Sequence, residues 1–107
     1  MIGRRLTIPH DPTHVIGVLV EPGDYVGPVA YPDDGTTSVW FLLPIARDPD
    51  VEPGARSICR VAQPPHQFRE CADGSLEVRE SIAVYNRAGD GHLWHGFLDE
   101  GHVWRAL

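Results

Sequence analysis

The chain has 107 residues, a net charge of -6, nine Arg with no Lys, and 42% hydrophobic residues. That length suits one domain around one core, and the apolar fraction excludes disorder as the default. The acidity excludes a general binder of phosphate backbones, which needs a basic face; no apolar run is long enough to cross a membrane as a helix.

Ten Pro and eleven Gly punctuate the chain and leave few windows for a helix of ordinary length. The chain therefore reads as all-β. Met1–Pro12 opens with a short edge strand over Arg5–Ile8, and Pro9 and Pro12 forbid regular pairing beyond it. His14–Pro22, HVIGVLVEP, is predicted as a central strand, because it is apolar on both faces. Glu21–Asp24 is a turn. Tyr25–Tyr31 is a weaker strand interrupted by Pro28, and Pro32–Thr37 turns into the apolar strand Ser38–Ala46. Arg47–Ala55 is the longest loop and the candidate mobile segment, with room for one helical turn over Arg47–Val51. Arg56–Ala62 is a strand of mixed polarity, Pro64–Pro65 a turn, and Cys71–Gly74 a tight turn.

From Gly74 to Leu107 three runs, SLEVRESIAVY, HLWHGFL and HVWRAL, are separated by NRAGDG and DEG. Such runs, rich in β-branched and aromatic residues and bounded by Gly, Asp and Asn, form an antiparallel meander. The expected architecture is a small sandwich or partly open barrel ending in a three-stranded meander.

Period-two counting puts Glu80 among Leu76, Val78, Ile82 and Val84, and His95 between Leu93 and Phe97. A charge in an apolar row needs a partner, a hydrogen bond or a cavity. If both rows face one core, Glu80 and His95 are cross-strand partners and an acid–base couple; a bulge that turns Glu80 to solvent is the other reading. Gly96 permits a bulge or a close backbone approach beside His95. His92 and His95, three apart on a regular strand, fall on opposite faces.

Cys59, His66 and Cys71 can meet across a hairpin, with His10, His14 or His102 completing a tetrahedral set. Their spacing is not that of a zinc motif, so neither metal nor cofactor is expected. Cys59 and Cys71 are expected reduced. Trp40, Trp94 and Trp104 read as packing rather than a ligand cage, and Ser57, Ser75 and Ser81 lie in no nucleophile-elbow context.

SVWFLLP, HQFRECADGSLEVRESI and HLWHGFLDEGHVWRAL together resemble a family of small uncharacterised bacteriophage and prophage proteins. The family closes on Trp-His-Gly-x-Leu…Gly…Trp, here Trp94-His95-Gly96-Phe97-Leu98, Gly101 and Trp104. The resemblance spans Ser38–Leu107. The relatives carry Pro where this chain has Glu80, and a cysteine cluster that SVWFLLPIA lacks. It implies a phage or mobile-element origin and no established activity.

The expected function is a non-enzymatic binding module in the cytoplasm of a bacterial host. Its partner would be a host or virion protein or a small ligand, held near Trp94, His95, Gly96, His102 and Trp104. Nucleic acid and membrane are not expected partners. The alternatives are a small hydrolase or metal-dependent enzyme centred on His95 with Glu80 or His102, and a self-assembling protein that dimerises by strand addition.

Overall fold

Short strands and frequent turns resolve into two four-stranded sheets packed face to face. The structure, a computed structural model, describes residues 1–52 and 55–107. In chain order the described residues form β1 (Arg5–Leu6), a 3-10 helix (Pro12–Val18), β2 (Tyr25–Tyr31), β3 (Thr36–Leu42), β4 (Ile58–Gln63), β5 (Gln67–Glu70), β6 (Leu76–Tyr85), β7 (His92–Asp99) and β8 (Val103–Ala106). The first sheet has the order β1-β2-β3-β4, with β1 parallel to β2 and the rest antiparallel; the second, β5-β6-β7-β8, is antiparallel throughout. This is the all-β sandwich the turn spacing predicts, left open rather than closed into a barrel, and β6–β7–β8 is the C-terminal meander.

The core lies between the sheets. Tyr25, Val39, Phe41 and Val61 face Leu76, Val78, Ile82, Trp94, Leu98 and Trp104. Trp104 is its hub: the Phe41 ring centroid lies 4.9 Å away, and Trp94 and Tyr25 meet it edge-on at 5.6 and 5.9 Å. Edge-to-face contacts of this kind add to area burial. Gly96 makes room for them. A Cβ there would stand 2.2 Å from the Arg105 carbonyl oxygen and 2.7 Å from the Trp94 ring, so the strand glycine serves a close approach by β8.

The segment predicted as a central strand, His14–Pro22, is instead mostly the 3-10 helix. Asp11 caps it, its carboxylate accepting from the Thr13 amide and hydroxyl at 3.0 and 2.7 Å, and Pro12 occupies the first turn. An Asp-Pro start fixes helical entry locally, and it prevails over the β propensity of Val15, Ile16 and Val18. The helix packs Val15 and Val18 on Val26 and Val29, covering the outer face of the first sheet. The segment's two apolar faces thus reflect a cover rather than a central strand. Arg47–Val51 holds turns and bends, not a helical turn. Buried Asp48 pins that segment by accepting from the Ser57 and Asp50 amides at 2.7 and 3.0 Å. The rest of the predicted loop includes Pro53 and Gly54, which lie outside the described residues. β5 is a strand where the sequence showed only a turn.

The two sides of the sandwich differ. On one, the first residues run along β8: Ile2 bridges Val103, the Gly3 amide donates to the His102 carbonyl, and Met1 and Trp104 exchange backbone hydrogen bonds. The chain then enters the first sheet as β1, so the N-terminal segment joins the sheets. On the other side Gln63–His66 carries the chain from β4 across to β5.

Candidate functional site

The alternation over most of β7 buries Trp94, Gly96 and Leu98 and leaves His95, Phe97 and Asp99 on the outer face, while Leu93 packs against the core. The β6 row of Leu76, Val78 and Ile82 faces the core, so the two rows point in opposite directions. Glu80 leaves even its own row. Between the pairs Val78↔Leu98 and Ile82↔Gly96, β6 advances four residues while β7 advances two. The two extra residues form a bulge that puts Glu80 in solvent. The Glu80–His95 couple is therefore not formed. His95 lies opposite Ala83 and its Nε2 is 3.0 Å from the Ser81 hydroxyl.

A second bulge corrects the reading of His92. Val84 pairs with Trp94 but Tyr85 with His92, so two residues of β7 oppose one of β6. The extra residue breaks strict alternation and brings His92 beside His95, ring centroids 4.9 Å apart, with Tyr85 stacked on His92 at 4.6 Å. Sequence counting misses this pair because a bulge has no unique residue signature.

Of the proposed partner-binding set, Trp94, Gly96 and Trp104 are core residues, which a partner does not reach in the folded state. His102 sits in the left-handed region (φ 62) of the β7–β8 turn. Its Nδ1 lies 2.6 Å from the buried Tyr25 hydroxyl, which also accepts from the Leu76 amide at 3.3 Å.

Cys59, His66 and Cys71 do not gather as a ligand set among the described residues. Cys59 is on β4, where burial, with a smaller contribution from Asp48, pushes its thiol up to about 11. Cys71 is buried beyond β5, and both thiols are free. His66 donates its Nε2 proton to the Ser81 carbonyl at 3.0 Å; its Nδ1 is buried without a partner among the described residues. The ligand atoms of Cys71, Asp73 and Glu100 do converge, within 4.8 Å of one another. Asp73 is already committed there, accepting from the Ser75 amide and hydroxyl.

Outer-face cations are largely neutralised. Phe97 lies under Arg105 and Arg79, at 4.5 and 5.6 Å, and both guanidinium groups pair with Asp99. An open groove of about 600 Å³ beside β1 is lined by Arg5 and His102. Arg5 is consumed there by Glu70, Gly27 and Gly74.

The surface with unmet binding capacity lies on the other side. A groove of about 410 Å³ runs between β4 and the end of β6, lined by Ile58, Cys59, Arg60, Ala83, Val84, Tyr85, Leu93 and Arg87 among others. Among the described residues β4 pairs only with β3. Pairing of β5 with β6 ends at Gln67↔Arg79, so among those residues Ile82–Tyr85 pair only with β7. Two strand edges thus face one groove, each with backbone donors and acceptors unused in either sheet. His66 meets one of these groups, at Ser81. Ile58 is 48% and Tyr85 61% exposed, large apolar side chains on the two flanking strands. Asp50 accepts from the Arg87 backbone amide and ties the groove's end to the preceding loop.

No protein-family description, curated protein or solved structure matches the chain.

Proposed function

We propose that the protein is a non-enzymatic interaction module of phage or mobile-element origin, whose partner is a host or virion protein. One observation carries this reading: two strand edges, unpaired among the described residues, flank an open groove bearing exposed Ile58 and Tyr85. Monomeric domains generally blunt or cover such edges, and an edge left open is a template for another chain. The test is affinity capture from phage-infected host extract with wild-type bait and with an Ile58→Asp, Tyr85→Ser double variant. The reading predicts a protein retained by the wild type and lost with the variant. Identical retention by both removes the groove as the interaction surface.

A second reading, a hydrolase centred on His95, has the 3.0 Å contact between His95 Nε2 and the Ser81 hydroxyl in its favour. A base within hydrogen-bond reach of a hydroxyl is the first requirement for nucleophilic catalysis. Neither the groove beside β1 nor that between β4 and β6 is lined by His95. Labelling by a fluorophosphonate that disappears in Ser81→Ala and His95→Ala would establish this activity; no labelling of the wild type would end it.

A further inference from the structure

We infer that the groove between β4 and β6 receives an extended peptide segment of the partner as an added strand, with an Asp or Glu of that segment on Arg87. This rests on the interaction-module reading and specifies the partner's chemistry.

The first ground is the backbone. Ile58–Arg60 and Ala83–Tyr85 flank the groove, three residues on either side, or about 10 Å of strand. An extended chain is the ligand whose own donors and acceptors recur at the strand repeat. A small molecule satisfies only a few such groups, whereas a strand satisfies them in series. Alternate side chains of an added strand point to opposite faces. One set would therefore meet Cys59, Val84 and Leu93, which pack against the core, and the other would pass the exposed Ile58 or Tyr85.

The second ground is charge. Arg4, Arg5, Arg60, Arg69, Arg79 and Arg105 each have a carboxylate partner. Arg47, Arg56 and Arg87 have none among the described residues, and of these three it is Arg87 that lines the groove, at the end where Asp50 also lies. Nearby Asp50 is used by the Arg87 backbone amide rather than by its guanidinium. An uncompensated guanidinium lining a groove of an acidic protein is complementary to a carboxylate, and its fork suits two-point recognition. Repulsion from the rest of the surface disfavours highly acidic partners. One or two carboxylates on an otherwise apolar segment fit better than an acidic tract.

The test uses the full chain and labelled peptides of about nine residues, alternating Val and Thr around one central Glu. Binding is read by fluorescence anisotropy. The Glu peptide should bind, and a Lys in its place should weaken binding about tenfold, an effect reduced by salt. Arg87→Glu, at an exposed position, should reverse that preference. N-methylation of alternate peptide amides should abolish binding, since it removes donors without altering side chains. Binding indifferent to N-methylation overturns strand addition, and binding indifferent to Arg87→Glu overturns the charge assignment. If no peptide binds more tightly than about 1 mM while the capture experiment still shows a partner dependent on Ile58 and Tyr85, the inference fails alone. If that capture is also insensitive to the variant, the interaction-module reading fails with it.

Discussion

The two sides of the sandwich solve the same problem in opposite ways. Where β8 meets the N-terminal segment, the edge is covered. Ile2 bridges Val103, the Trp104 indole donates to the Gly23 carbonyl at 2.8 Å, and Asp24 accepts from Arg4 and from the Val20 and Glu21 amides. Where β4 meets β6, the edges are open and large apolar side chains, Ile58 and Tyr85, are exposed. Buried polar groups on the covered side are hydrogen-bonded within the chain, so substitutions there should act on stability. If the open side binds a partner as proposed, substitutions there should act on binding and leave stability almost unchanged.

The largest effect should come from Trp104→Ala. It removes the ring that joins Phe41, Trp94 and Tyr25 and strands the Gly23 carbonyl, so we expect a loss of about 3–5 kcal/mol in chemical denaturation. Asp24→Ala comes next. Asp24 is 1% exposed, and its removal orphans two amides, with an expected cost of about 2–3 kcal/mol. Arg4 is largely in solvent and is not left as a buried charge.

Asp24 also carries a pH signature. Burial raises its pKa, but Arg4 and the Glu21 and Val20 amides outweigh burial and hold it below the ordinary 3.8. A carboxylate with a depressed folded-state pKa contributes stability above its unfolded value and loses it as pH falls through the folded one. The wild type should therefore weaken as pH drops below about 3.8, and urea midpoints for Asp24→Ala should fall less steeply there. An equal slope in both proteins would assign acid sensitivity to other carboxylates. Tyr25→Phe is smaller again. It deletes the hydroxyl that links His102 and Leu76 across the sheets while keeping the ring in the core, for a cost of about 1 kcal/mol by thermal or urea unfolding.

The strands were far more legible in the sequence than their pairing. Strand-forming runs and turn residues are local signals, and they located β2, β3, β4 and the meander. The Asp11–Pro12 helix start is local too, but His14–Pro22, apolar on both faces, imitates a buried strand, and only the cap separates the two. Pairing is non-local. Nothing in LEVRESIAVY marks where β5 stops pairing or where two extra residues enter β6, and those register changes expel Glu80, bring His92 to His95 and leave Ile82–Tyr85 with a free edge. The Trp-His-Gly run has the residue types of a binding site, yet Trp94 and Gly96 serve the core. Arg87, inside a hairpin turn, carried no signal, because the lack of a carboxylate partner appears only in three dimensions.

Ile58→Asp sharpens the contrast most, because its predicted stability effect is the smallest. Ile58 begins β4 opposite Leu42, is half in solvent, and lies outside both buried clusters. Replacing an exposed apolar side chain away from caps and cavities changes stability by no more than about 0.5 kcal/mol. If the open edge is a docking strand, the same change should remove peptide binding altogether. It places a carboxylate beside the segment whose own carboxylate Arg87 attracts. The two readouts are taken from one preparation: a urea midpoint within error of wild type, and anisotropy that no longer rises with protein concentration. A midpoint lowered as far as that of Asp24→Ala would show that Ile58 supports the fold as the covered side does. The division between a side that stabilises and a side that binds would then be wrong.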